Sequence, residues 1–183
     1  MSMLKPLTLV LLTSLLGACV LAPQDSGKPS EAKLNNEDWY QVRSETQLYL
    51  FDDQQVFQDF LRTGRAPYVK DLGQQDKYGQ AILLGLRAED QNTPLEQLSA
   101  YRFLQVAQPP AASFYGEIRQ EGVIYVFARY GDMVDMNKIG EPTFSHTEIG
   151  SGPKGERVVY VLAKEETKPV EQIKRFQARY KGA

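Results

Sequence analysis

Apolar and polar positions along the chain fall into two series of elements that follow one another in the same order. In the first, Tyr40 to Arg43 and Leu48 to Phe51 alternate apolar or aromatic residues with polar ones, the period of half-buried strands, across a tight connection at Ser44 to Gln47. Gln55 to Thr63 then sets Val56, Phe57, Phe60 and Leu61 at helical spacing and stops at Gly64. An extended stretch to Leu72, a glycine-bounded turn and the apolar strand Ala81 to Leu86 follow. Pro94 suits the first turn of a closing helix that carries Leu95, Leu98 and Tyr101 on one face. The second series repeats this plan. Its helix over Asp132 to Ile139, stopped by Gly140, presents Met133, Met136 and Ile139. Its extended stretch ends at Ile149, its last strand is Val158 to Ala163, and its closing helix carries Val170, Ile173, Phe176 and Tyr180.

The two series are related residue by residue. Val42-Arg43-Ser44-Glu45 through Phe51 aligns without gaps on Ile118-Arg119-Gln120-Glu121 through Phe127, with Arg, Glu, Tyr and Phe identical. The same offset pairs Asp59 with Asp135, Gly64 with Gly140, Gly79 with Gly155 and Glu89 with Glu165. After one residue is lost from a loop, Pro94 to Leu98 meets Pro169 to Ile173. An ordered run of matches over a whole unit is not produced by chance. The expectation is therefore an α+β fold made of two tandem copies of a strand-helix-strand-strand-helix unit, which resembles the split βαβ, ferredoxin-like arrangement. Units of about 70 residues without cross-links build marginal cores, so the copies are expected to pack together. The predicted boundaries are 38–107 for the first unit, 108–113 for a short linker and 114–183 for the second.

The beginning of the chain has a different grammar. Leu7 to Leu16 is apolar and uncharged behind Lys5, too short for a membrane-spanning helix but suited to the apolar core of a signal peptide. It ends in Leu16-Gly17-Ala18-Cys19, which resembles the lipobox of bacterial lipoprotein precursors. That resemblance implies cleavage after residue 18 and lipid attachment at Cys19, with acyl chains holding the protein on a membrane. The absence of Asp after the cysteine, where Val20 and Leu21 stand, implies delivery to the outer membrane, the domain facing the periplasm. Residues 19–37, rich in Pro, Gly, Ser and charge, read as a flexible tether.

Composition then narrows the chemistry. A formal net charge of −2 gives no drive toward nucleic acid, and one Cys and one His exclude a cysteine-based or multi-histidine metal centre. No cofactor is expected. Asp52-Asp53 is best read as the approach to a helix, with Asp53 near the N-cap, and Asp132 with Asp135 as acids at a helix start. His146 and Glu148 share one face of an alternating segment and would be the only base for a hydrolase, but no nucleophile motif accompanies them. The glycine-rich stretch Gly150 to Gly155 reads as a hairpin turn. The candidate partner-binding residues are the basic face of the last helix, Lys174, Arg175, Arg179 and Lys181, and the repeated Arg43 and Arg119. The expected function is a non-enzymatic lipoprotein that binds a periplasmic protein or a cell-wall polymer. The alternatives are an inhibitor or immunity-type protein that occludes an envelope enzyme, and a hydrolase using His146.

Overall fold

The alternating segments and helical stretches become a single mixed sheet with four helices in the computed structural model, which describes residues 35–181. The signal segment, Cys19 and most of the tether lie outside the described residues. In chain order the elements are β1 (Asp38–Arg43), β2 (Gln47–Phe51), α1 (Gln54–Thr63), β3 (Tyr68–Gln75), β4 (Ala81–Leu86), α2 (Ser99–Leu104), β5 (Tyr115–Gln120), β6 (Val123–Phe127), α3 (Tyr130–Ile139), β7 (Ser145–Glu148), β8 (Arg157–Val161) and α4 (Val170–Arg179). Two short 3-10 turns, Ala88–Asn92 and Leu95–Gln97, precede α2.

The fold is α+β, with the eight strands in the order β3-β4-β2-β1-β5-β6-β8-β7. Each half uses the same pairings: a β1–β2 or β5–β6 hairpin, parallel β2–β4 or β6–β8, and an outer antiparallel β3 or β7. The halves meet edge to edge, β1 parallel to β5, with Tyr40 opposite Glu117 and Val42 opposite Arg119. This departs from the expected pair of small ferredoxin-like units packed on each other: the sheet is larger and continuous. The reason lies in β1 and β5, whose side chains are buried on both faces. Left as edges, they would expose both apolar surface and unpaired backbone groups.

Helices cover both faces, and each face takes one helix from each half. One core gathers Trp39, Leu48, Leu50, Ile82 and Leu84 from the sheet under Phe103 of α2 and Met133 and Met136 of α3. The other gathers Tyr40, Phe51, Tyr115, Val126 and Tyr160 under Phe57 of α1 and Phe176 of α4. Gly85 makes room in the second core: a Cβ there would sit 2.1 Å from the Phe51 ring.

Helix ends follow the sequence closely. Asp53 caps α1 by accepting from the Val56 N–H at 2.9 Å, and Gly64 and Gly140 end α1 and α3 in the left-handed conformation. Three expectations need correcting. The closing helix of the first half is short and preceded by 3-10 turns, and it buries Leu98, Ala100 and Phe103, with Tyr101 only partly covered. In α4 it is Gln172, not Val170, that goes inside; Gln172 donates to the Val126 carbonyl at 2.7 Å, a partner that makes its burial tolerable. Ile139, at the end of α3, is exposed.

Candidate functional site

Alternation along β1 sends Trp39, Gln41 and Arg43 to the same side of the sheet. There, between α2 and α3, they line a cavity of about 440 Å³. Leu48, Ile82, Phe103, Leu104 and Val134 form its apolar wall, and Asp76, Lys77, Asn137 and Lys138 its polar rim. Trp39 is held by its neighbours: its ring stacks on Phe103 at 5.6 Å, and Tyr130 lies 5.7 Å away with its hydroxyl donating to the Phe103 carbonyl. The rim is tied by Arg43, which pairs with Asp76 and donates to Gln80 at 2.6 Å and to Asn137, on α3, at 3.0 Å. Burial pushes the Asp76 carboxyl up. The hydrogen bonds from Arg43 and from the Gln80 and Tyr78 backbone more than offset it, leaving the group below its ordinary range.

Two polar atoms behind this wall have neither a protein partner nor contact with solvent. Trp39, 2% exposed, has an indole Nε1–H that donates to nothing, and Gln41, 1% exposed, has an Oε1 that accepts from nothing. Buried polar atoms are normally paired, because stranding one costs about 1–3 kcal/mol. A third departure stands at the mouth. Val106 ends α2 in a Schellman turn with a φ of 55°, a place usually given to glycine, and its side chain is 61% exposed along the cavity.

The matching positions on β5 are Tyr115, Glu117 and Arg119, on the opposite face, where one nitrogen of Arg119 is the only side-chain polar atom left without a partner. Glu117 is fully buried, and it accepts from Tyr115 at 2.9 Å, from Tyr180 at 2.8 Å and from Arg119 at 2.7 Å. Arg119 also reaches Glu156 at 3.1 Å and lies over the rings of Tyr180 and Phe57. Burial and the Glu117 charge push the Tyr115 and Tyr180 hydroxyls well up, so both remain donors. Burial alone would weaken the proton on Arg119; Glu117 and Tyr180 more than reverse that. A carboxylate so enclosed can stabilise the fold but cannot reach a substrate.

The other sequence-predicted residues are dispersed. Arg175 donates to the Ser113 and Phe114 carbonyls, and Arg179 pairs with Asp38 at 2.7 Å with its guanidinium 3.7 Å from the Tyr115 ring. Lys174 pairs with Glu171 on the surface and Lys181 is exposed, so the basic face is divided between internal and external duties. Arg43 and Arg119 stand on opposite faces, and neither pairs with Glu45 or Glu121. Asp52 accepts from the Ala100 N–H at 3.0 Å; burial raises its pKa, with that hydrogen bond acting against it. Asp132 pairs with Arg129, and Asp135 is exposed. His146 lies on the outer strand β7 with Glu148 at 3.7 Å and Tyr160 beside it, and among the described residues no hydroxyl nucleophile is hydrogen-bonded to it. Among the described residues no group of three His, Cys, Asp or Glu is placed to hold a metal, and no helix is long and apolar enough to cross a membrane.

Trp39 and Gln41 are the residues that reading for charge and nucleophiles passes over. A signal for them existed: in the aligned repeats the arginine is retained while its carboxylate neighbour Glu117 becomes an amide, Gln41. The site is an apolar pocket with a charged rim, behind which one donor and one acceptor are unmatched. Comparison with known proteins finds no matching family model, no matching curated protein and no matching solved structure, so the site has to be read from its own chemistry.

Proposed function

We propose that this chain is an outer-membrane lipoprotein, held through Cys19, whose duplicated α+β domain faces the periplasm and binds a cell-envelope partner without transforming it. The duplicated unit is a split βαβ, ferredoxin-like element extended by the strand before it, as the residue-by-residue repeat and the equal strand pairings support. A cell-wall polymer is the favoured partner. The observation that carries the binding role is the cavity over β1, with its apolar wall and charged rim, where Tyr115 and Glu117 at the equivalent positions on β5 are enclosed by their partners. Confinement by the lipid anchor raises the effective concentration of a module whose intrinsic affinity is modest.

Fractionation and pull-down test both halves of this reading. The wild-type chain is expected in the membrane fraction, and Cys19→Ser in the soluble fraction with an unchanged circular dichroism spectrum. Isolated cell-wall sacculi are expected to retain the protein. Washed membranes that still hold Cys19→Ser would refute the anchor. Sacculi that retain nothing, while one envelope enzyme co-purifies stoichiometrically, would replace a polymer binder with an occluding inhibitor.

A further inference from the structure

We infer that the cavity over β1 takes the carboxylate-bearing end of a peptide branch of the polymer, its last apolar side chain inside and its carboxylate on Lys77 and Lys138. This rests on the binding role proposed above and names the part of the partner that is held.

The charge at the rim selects the head of the ligand. Arg43 is answered by Asp76, whose carboxylate also accepts from the Tyr78 and Gln80 N–H groups. Lys77 and Lys138 are not answered: among the described residues neither lies within ion-pair distance of a carboxylate. The two stand together, because the Lys77 Nζ donates to the Lys138 carbonyl at 2.6 Å, in the last turn of α3. That bond uses one of the three protons on the ammonium. Both side chains are exposed and carry their charge on flexible stems, so both can turn toward a ligand at the mouth. Neighbouring cations with no acid between them repel, and an anion between them removes that cost. A neutral sugar makes no use of the feature.

The wall selects what the head is attached to. Behind the lysines lie Leu48, Ile82, Phe103, Leu104 and Val134, with Val106 exposed at the mouth. A phosphate or a sugar acid carries no apolar group to cover this surface, whereas an apolar side chain beside a carboxylate does. The volume of about 440 Å³ falls in the range of small-ligand sites and has room for more than one side chain. A fatty acid offers the same head and tail but no polar group between them. The lining includes Asn137, whose Oδ1 is engaged by Arg43 and whose Nδ2 has no acceptor among the described residues. A peptide carbonyl supplies that acceptor and a methylene chain does not.

The sheet topology sets the direction of entry. Peptides that lie along a sheet add a strand to a free edge. The floor of this cavity is β1, already paired with β2 on one side and β5 on the other. A peptide must therefore enter by its end, the mode in which a terminal carboxylate is captured.

The test follows the emission of Trp39, the single tryptophan, with the full chain held in phosphatidylcholine vesicles. It is titrated with N-acetyl-alanyl-alanine, with the carboxamide of that dipeptide, with hexanoate and with an N-acetylglucosamine disaccharide. The expected result is a saturable change with the free acid and binding weaker by on the order of tenfold or more with the other three. The double variant Lys77→Gln with Lys138→Gln is expected to bind the free acid more weakly by on the order of tenfold, with the carboxamide and the melting temperature unchanged. Equal affinity for acid and carboxamide would overturn the carboxylate assignment, and so would undiminished binding of the acid by the double variant. Hexanoate or the disaccharide binding as tightly as the dipeptide would replace the peptide with an acyl chain or a sugar. Silence toward all four probes, with sacculi still retaining the protein, would overturn the inference and leave the binding role standing. Silence together with sacculi that retain nothing would remove both.

Discussion

The two faces of the sheet carry corresponding triplets, Trp39-Gln41-Arg43 on β1 and Tyr115-Glu117-Arg119 on β5, and only one of them is closed. On the β5 side, α4 runs for ten residues and delivers Tyr180, whose hydroxyl donates to Glu117 and whose ring covers Arg119. On the β1 side, α2 is six residues long and stops at Leu104, and the residue aligned with Tyr180, Gln105, is exposed. Helix length thus decides whether the sheet is roofed by a helix-borne tyrosine or lies beneath a cavity. The exchange of Glu117 for Gln41 fits this difference. A buried carboxylate demands donors from every side, whereas an amide is neutral and tolerates a water or a ligand in their place.

The largest expected effect comes from breaking the closed side. Glu117→Ala would leave the Arg119 guanidinium with Glu156 alone and strand two tyrosine hydroxyls in the core. Removing one partner of a buried pair costs about 3–5 kcal/mol, to be read as a lowered urea midpoint at neutral pH. The same change on the open side, Gln41→Ala, strands no charge and should cost far less. Equal losses would mean that the two triplets are not functionally distinct.

Next in size is the rim. Asp76→Asn keeps an oxygen for the Tyr78 and Gln80 N–H groups but discards the charge opposite Arg43. A loss of roughly 1.5 kcal/mol is expected at neutral pH, the scale of a charged hydrogen bond. The sign of its pH dependence follows from the depressed carboxyl. Its stabilisation is present above the unfolded value of about 3.9 and lost as pH falls through the folded one. Urea midpoints of parent and variant should therefore converge in acid, and a gap that persists at low pH would assign the effect to the turn rather than to the ion pair.

The third test has the opposite sign. Gln41→Met removes an unpartnered acceptor without altering the volume, so the chain should gain up to about 1 kcal/mol by thermal melting. A loss would show that Gln41 is already satisfied in the fold, and the contrast between the faces would lose its meaning.

Local order was largely legible in the sequence, and assembly was not. The helix α1 with its cap Asp53 and stop at Gly64 follows from spacing and from residues that act on their immediate neighbours. The edge-to-edge union of β1 and β5 depends on Trp39 and Tyr40 both being buried, on opposite faces, and periodicity cannot tell a two-sided strand from a one-sided one. The candidate site was missed for a related reason. Charged residues attract notice, yet Arg175 and Arg179 donate inward, to the Ser113 and Phe114 carbonyls and to Asp38. The cavity is marked by what Trp39 and Gln41 fail to contact, a property of the assembled fold alone. The anchor proposed at Cys19 is legible only as a motif.

The smallest effect concerns the mouth of the open side and asks why α2 ends as it does. Both α1 and α3 stop at glycines, Gly64 and Gly140, in the left-handed conformation, whereas α2 stops at Val106 with the Ala107 N–H closing on the Arg102 carbonyl. A β-branched residue in that region carries a strain of about 1 kcal/mol or more that glycine avoids. Glycine also gains chain entropy on unfolding, so Val106→Gly should stabilise the fold by only about 0.5 kcal/mol. The exposed valine side chain adds little to the core to offset that gain. If its place is retained for ligand contact, the variant should melt slightly higher and be held more weakly by isolated cell-wall sacculi. A variant that is more stable and binds with undiminished affinity would show that Val106 has no part in recognition, moving the boundary of the receptor inward to Leu104 and the β1 floor.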